Sequence, residues 1–209
     1  MHIFLIGLMI VIAYFLGSIP SGLWVGKLMY NKDIRKEGSG NIGTTNAFRV
    51  LGTRAGIIVL LVDILKGTLA ASQPYILHMY PAVNPLLIGI FASLGHTFSI
   101  FDNFHGGKAV ATSAGILLAY NPPLFILAAA VFVAMLLLTS MASIASMVGI
   151  STIFIIALVE GDVILSIVAG ILTVLVFIRH RSNIMRIIQG KESMVSFGLG
   201  NYLRQHHQH

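Results

Sequence analysis

Seven apolar segments, at 3–25, 55–73, 86–100, 109–120, 124–138, 144–159 and 163–178, take up most of this chain and leave only short polar connections. A helix crosses the roughly 30 Å hydrocarbon core of a bilayer with about 20 apolar residues. In lipid every backbone N–H and C=O must be satisfied within its own segment, which selects helices over irregular chain. Only 10% of the 209 residues are charged, against about 25% in soluble domains. The expectation is an all-α polytopic membrane protein, about seven transmembrane helices in one integral domain covering 1–209. Segment 109–120 is too short to cross fully and reads as a half helix. The first segment carries Gly17-Ser18-Ile19-Pro20-Ser21-Gly22, a small-residue and proline stretch that bends a helix or admits a close neighbour.

The connections alternate in charge. Loop 27–54 holds six of the thirteen Lys and Arg, the next basic connection holds Lys108, and the tail holds Arg179, Arg181, Arg186, Lys191 and Arg204. Connections 74–85, 121–123 and 160–162 hold no Lys or Arg. The positive-inside rule then puts the N-terminus outside and the C-terminus in the cytoplasm. The net charge of +6 follows from these loops and suits anionic headgroups or substrates, not nucleic acid. The first apolar run has no basic stretch before it and no small-residue cleavage site after it, so it reads as a retained helix. The absence of Cys excludes disulfides and thiol catalysis. The His-rich end, 205–209, is set aside as a tail.

All three chemistry-bearing stretches fall on the basic, cytoplasmic side. Glu37-Gly38-Ser39-Gly40-Asn41-Ile42-Gly43-Thr44-Thr45-Asn46-Ala47-Phe48-Arg49 offers many donors and few acceptors. Its glycines let successive N–H groups approach a ligand, while Ser39, Asn41, Thr44, Thr45, Asn46 and the Arg49 fork add side-chain donors. Such a loop is built for an oxyanion, a phosphate above all. His105-Gly106-Gly107-Lys108 before a helix start makes a second cradle, without the spacing of a Walker loop. His180-Arg181-Ser182-Asn183 ends the last span; His180 and Asn183 share a face, and the arginines read as membrane anchors.

Asp63 and Lys66, at i and i+3, read as a structural ion pair inside the bundle. Five residues separate His96 from Asp102, one more than in a soluble acyltransferase dyad, so His96 reads as a hydrogen-bonded structural residue. No close carboxylate pair lies in these loops, so no metal site is expected. A transporter of organic anions shares half helices and midspan charges, but the donor loops gather on one face and the halves show no repeat. A phosphotransferase would need a carboxylate cluster for Mg²⁺.

Together these residues resemble the bacterial acyl-phosphate-dependent glycerol-3-phosphate acyltransferases. The resemblance is carried by Gly17-Ser-Ile-Pro20 with Gly22, Gly38 to Arg49, Asp63-Ile-Leu-Lys66-Gly67, Gly95-His96, Gly106-Gly-Lys-Ala-Val-Ala-Thr112, Ser140-Met-Ala-Ser143, and His180-Arg-Ser-Asn183 with Gly190-Lys-Glu192. The sequence departs from the family's pattern at Ala109, Thr139, Asp102, Asn103 and His105, which bears on local loop shape. The resemblance implies a bacterial inner-membrane enzyme that moves a fatty acyl group from acyl phosphate to the 1-hydroxyl of glycerol 3-phosphate, releasing lysophosphatidic acid and phosphate. It implies no cofactor and no nucleic-acid partner, and leaves oligomeric state open, a monomer being compatible. Arg49, Lys108 and His180, with Ser39 and Asn183, are expected to hold glycerol 3-phosphate; Ser39, Arg49, Lys108 and His180 form the catalytic set. The backbone of 40–45, including Gly40, Asn41 and Gly43, with the hydroxyls of Thr44, Thr45 and Ser143, is expected to hold the acyl phosphate. Asn46, Gly106 and Gly107 complete the substrate-binding set. The hydroxyl proton has two candidate acceptors, a substrate phosphate and His180. Acyl-CoA or acyl-carrier protein is the alternative donor.

Overall fold

The computed structural model describes residues 2–206, so His207, Gln208 and His209 of the His-rich tail lie outside the described residues. The described chain is helical throughout: α1 (His2–Ser18), α2 (Ser21–Tyr30), α3 (Thr44–Leu51), α4 (Thr53–Ile76), α5 (Pro85–Thr97), α6 (Val110–Tyr120), α7 (Pro122–Thr139), α8 (Ala142–Glu160), α9 (Val163–Arg179), α10 (Arg181–Ile188) and α11 (Leu199–His206), with short 3-10 turns at Ile34–Lys36 and Ile100–Asp102. Each of the seven apolar segments is helical. Four stretches are long and apolar enough to cross a membrane, Thr53–Ile76, Pro85–Asp102, Pro122–Thr139 and Ala142–Glu160. Two bent pairs, α1 with α2 at 44° and α9 with α10 at 60°, raise the number to six if each is one span. The 11-residue α6 rises only about 16 Å at 1.5 Å per residue, the short segment the sequence marks out. The break between α1 and α2 falls at Pro20, whose missing N–H and ring end a helix.

The chain divides into two compact units, 1–122 and 123–209. In the first, α4 packs against α1, α5, α6 and α3. Met9, Ala13, Ala70, Ile88 and Ala92 form one apolar cluster. A second cluster, Leu23, Ile34, Ile42, Ala47, Leu51, Ala55 and Val59, fastens loop 34–51 onto α2 and α4. Ile42, the one large apolar residue in the polar stretch 37–46, is buried and holds the loop to the core.

Helices α4 and α6 touch through glycine. A Cβ on Gly67 would lie 2.1 Å from the Thr112 carbonyl, and one on Gly115 2.0 Å from that of Ile64. Lipid tails are as apolar as the helices, so close backbone packing of this kind replaces the hydrophobic drive for association. Gly115→Ala should therefore destabilise the protein by about 1–3 kcal/mol, the range for overpacking. Thermal unfolding in detergent measures this, and an unchanged midpoint would mean the two helices have room to part.

In the second unit α8 packs along α9, with Ala145, Ile153 and Ala157 buried on one and Leu165, Val168, Ala169, Leu172 and Val176 on the other. Helix α7 fully buries only Leu124 and half-buries a stripe at 125, 128, 131, 132, 135, 136 and 139, leaving the rest of its apolar surface suited to lipid.

Candidate active site

Loop 37–49 is shaped by one buried amide. Asn46, 2% exposed, donates through Nδ2 to the carbonyls of Ile34 (2.9 Å), Glu37 (3.2 Å) and Asn41 (2.9 Å) and accepts the Ser39 N–H at 2.9 Å. Asn41 Oδ1 accepts the Gly43 N–H at 2.9 Å, and the Gly40 N–H reaches the Glu37 carbonyl at 3.0 Å. The sequence counts Asn41 and Asn46 among the ligand donors; here Asn46 uses its side-chain amide and Asn41 its Oδ1 to hold the loop's own curvature. What remains open is the start of α3. The N–H groups of Thr44 and Thr45 stand in its first turn with no side-chain cap, where the helix dipole favours an anion. Thr44 Oγ1 is buried with no hydrogen-bond partner among the described residues. Arg49 lies one turn beyond Thr45 on the same face, exposed and without an ion pair or hydrogen bond among the described residues. Ser39, whose N–H is held by Asn46, is exposed.

The second cradle lies on a histidine. Gly107 N–H donates to the His96 carbonyl at 3.0 Å. A Cβ on Gly106 would stand 2.1 Å from that carbonyl oxygen, and one on Gly107 2.1 Å from His96 Nε2. Only glycine lets this strand of chain settle so low. Beneath it, Asp63 Oδ1 accepts Ser21 Oγ at 2.7 Å and Lys66 Nζ at 2.8 Å, and His96 Nδ1 stands 3.6 Å away. Lys66 also donates to the Ile19 carbonyl at 3.0 Å. The Asp63–Lys66 pair is thus the structural ion pair its spacing suggests, and it ties the α1–α2 break to α4. His96 faces Asp63; Asp102 accepts Arg35 instead, so no His96–Asp102 dyad forms. Ala109, at the start of α6, takes φ 58, a left-handed conformation that glycine adopts freely and an L side chain rarely does.

In the second unit the organising group is Glu192, a residue no spacing argument picks out. It is 4% exposed. Its Oε1 accepts Ser143 Oγ at 2.8 Å and Asn183 Nδ2 at 2.6 Å, and its Oε2 accepts Arg186 Nε at 2.8 Å. The sequence places Ser143 and Asn183 on substrate; the structure brings both to this carboxylate. Its signals in the sequence are its place in the Gly190-Lys-Glu192 stretch of the family resemblance and its charge, a lone Glu among Arg181, Arg186 and Lys191. His180, 3% exposed, directs Nδ1 to the Val176 carbonyl at 2.9 Å. A carbonyl only accepts, so Nδ1 carries a proton and Nε2 of the neutral ring carries the lone pair.

Burial pushes the Glu192 carboxyl up, but hydrogen bonds from Asn183, Ser143 and Arg186, with the Arg186 charge, outweigh it and leave the group below its ordinary value. A carboxyl lowered in the folded state adds stability that is complete above its unfolded value of about 4.3 and lost as pH falls through the folded one. Glu192→Gln should therefore flatten the acid limb of the unfolding midpoint below about pH 5. A parental acid limb in the variant would show that this carboxylate is not the hub. Among the described residues no group of three or more His, Asp or Glu is placed to hold a metal.

Residues 7–190 match the family description "glycerol-3-phosphate acyltransferase". A glycerol-3-phosphate acyltransferase of Limosilactobacillus reuteri is 74% identical, covering 94% of this chain and 94% of that protein, and one of Levilactobacillus brevis is 57% identical, covering 96% and 98%. Among solved structures, the integral membrane glycerol 3-phosphate acyltransferase PlsY in its glycerol 3-phosphate form superposes with a TM-score of 0.86 at 32% identity, covering 91% of this chain and 95% of that one. The lysophosphatidic acid form of the same enzyme gives 0.83 at 32%, covering 90% and 94%.

Proposed function

The chain belongs to the glycerol-3-phosphate acyltransferase family, and on that premise we propose that it draws its acyl group from acyl phosphate and delivers it to the 1-hydroxyl of glycerol 3-phosphate. The products are lysophosphatidic acid and inorganic phosphate. The protein is a multi-pass membrane enzyme; we place it in the bacterial cytoplasmic membrane, N-terminus outside, C-terminus and active site toward the cytoplasm, with 1–209 acting as one acyltransferase domain. The observation that carries this reading is the start of α3, where open Thr44 and Thr45 N–H groups and an unpaired Arg49 stand on one helix. PlsY crystallised with glycerol 3-phosphate and with lysophosphatidic acid, a substrate and a product of the proposed reaction.

Two anions must meet, so their repulsion has to be offset by fixed donors and cations. Arg49 and Lys108, with Ser39, hold glycerol 3-phosphate, and the 40–45 backbone with the Thr44 and Thr45 hydroxyls holds the acyl phosphate; the family resemblance assigns His180 and Asn183 to the first substrate and Ser143 to the second. Gly106 and Gly107 bring the chain before Lys108 close to His96. The 1-hydroxyl oxygen attacks the acyl carbonyl carbon, the tetrahedral oxyanion collapses, and the C–O bond to phosphate breaks. Phosphate leaves without needing a general acid. The hydroxyl proton passes to a substrate phosphate oxygen, whose second pKa near 6 suits the task; His180 Nε2 is the protein alternative. The acyl tail lies in a lateral groove among the spans.

The test is phosphate release by purified protein given palmitoyl phosphate and glycerol 3-phosphate, with chelator and without CoA. Release that needs both substrates and yields lysophosphatidic acid supports the reading. Transfer only from acyl-CoA or acyl-carrier protein would replace the donor, and glycerol 3-phosphate uptake into liposomes without release would make the protein a transporter.

A further inference from the structure

The two phosphate-type loops of the first unit are joined by a side-chain bridge to which the proposed reaction gives no role. Asp33 and Arg35 stand at the 3-10 turn that leads into loop 37–49. Asp33 accepts Arg35 Nε at 2.9 Å on one oxygen and a terminal guanidinium nitrogen at 2.6 Å on the other. The second terminal nitrogen of the same guanidinium reaches Asp102 Oδ1 at 2.5 Å, 67 residues along the chain. The Asp102 side chain is 4% exposed, and that of Arg35 38%. Asp102 Oδ2 is buried with no hydrogen-bond partner among the described residues, so Arg35 is what compensates this carboxylate.

A buried negative charge close in sequence to an anion cradle opposes anion binding unless a cation holds it. Here the holding cation comes from the 3-10 turn that leads into the other cradle. On the Arg35 side, the Ile34 carbonyl accepts Asn46, which belongs to α3, the helix that carries Arg49. On the other side, the Asp102 carbonyl accepts the His105 N–H at 2.9 Å, and Gly107 is pinned to His96 just before Lys108. A continuous bonded path therefore runs from the Arg49 helix to the Lys108 loop, and its middle link is one guanidinium serving two carboxylates. Arginine can do this because its fork presents several donors in fixed directions; lysine cannot.

We propose that Arg35 and Asp102 are positioning residues, a latch that sets the spacing between the Arg49 loop and the Lys108 loop so that both cations meet one phosphate. The proposal rests on glycerol 3-phosphate being the substrate those cations hold. Arg35, through its hydrogen bonds, holds the Asp33 carboxyl down to about 2, so the anchor of the latch is ionised throughout the working pH range.

The test compares Asp102→Asn, Arg35→Lys, Arg35→Gln and the double variant Arg35→Gln/Asp102→Asn with the parent. Asp102→Asn keeps the shape and removes the charge. It should raise KM for glycerol 3-phosphate about tenfold, against the ~10²-fold that a 1 Å misplacement can bring, with kcat, KM for the acyl donor and the melting temperature near parental. Arg35→Lys keeps a charge opposite Asp102 and should fall between. The double variant should be no worse than the poorer of Arg35→Gln and Asp102→Asn alone, since the two act through one bridge. Unchanged KM in Asp102→Asn, a parallel loss for both substrates, or multiplying effects in the double variant would overturn the latch. A second readout does not depend on turnover. The chain has no Cys, so spin labels at Lys36→Cys and Asn103→Cys, both exposed positions, report the loop-to-loop distance directly. A narrow distribution that broadens in Asp102→Asn supports the latch, and an unchanged one overturns it. A parent that binds no glycerol 3-phosphate would instead sink the functional reading, while the distances still decide the latch.

Discussion

Arg49→Ala should lower kcat/KM for glycerol 3-phosphate by about 10³-fold, some 4 kcal/mol at 1.36 kcal/mol per decade, and leave the melting temperature where it was. The two halves of this expectation come from the same observation. Arg49 is exposed and makes no ion pair or hydrogen bond among the described residues, so its removal breaks nothing in the fold. Its forked charge stands one turn from the open N–H groups of α3, where a phosphate would meet all of them together. Losing one preorganised donor of this kind costs roughly 10²–10³ in rate, and here a full charge goes with it. Arg49→Lys keeps the charge without the fork and should recover only part of the loss. Arg54→Ala, at an equally exposed arginine in the first turn of α4, should leave turnover near parental. If Arg49→Ala kept near-parental rates, the site has been put on the wrong loop.

Lys66→Met should do the opposite, damaging the fold before the chemistry. The Lys66 and Asp63 side chains are 3% and 1% exposed and 2.8 Å apart, inside a helix long enough to cross the bilayer. Removing the ammonium leaves Asp63 with Ser21 and the more distant His96. Breaking a buried pair from one side costs about 3–5 kcal/mol, a large share of a total stability of about 5–15 kcal/mol. The expected result is a marked loss of monodisperse protein in detergent and a lowered melting temperature. Asp63→Asn with Lys66→Met removes both charges and should recover much of that loss. A single variant as stable as the parent would show that the pair does not hold α4 to the α1–α2 break.

The contrast between these two variants follows how the sequence could be read. Asp63 and Lys66 are three residues apart on an apolar helix, and local spacing alone makes them a pair. Loop 37–49 announces itself by donor density, and the seven apolar segments by hydropathy. Long-range partnerships carry no such signal. Glu192 meets Ser143 across 49 positions, and Arg35 meets Asp102 across 67. Neither spacing has a helical or strand period behind it, so only the folded chain brings these residues together. Asn46 marks a different limit. As an amide in a polar loop it reads as a ligand donor, yet the loop's own carbonyls take its hydrogens. Composition counts the donors in a loop but does not show which of them the loop needs for itself. Ala109 marks a third: a non-glycine residue in a left-handed conformation cannot be foreseen from its identity.

Whether the acyl group comes from acyl phosphate is decided by the fate of one oxygen. Palmitoyl phosphate labelled with ¹⁸O in the bridge between acyl carbon and phosphorus is turned over with glycerol 3-phosphate, and the products are weighed. Attack at the carbonyl carbon breaks the C–O bond, so the label must appear in the released phosphate, with unlabelled lysophosphatidic acid formed in equal amount. Label retained in free palmitate, with glycerol 3-phosphate phosphorylated, would mean that phosphorus is the atom attacked and that the protein is a phosphotransferase.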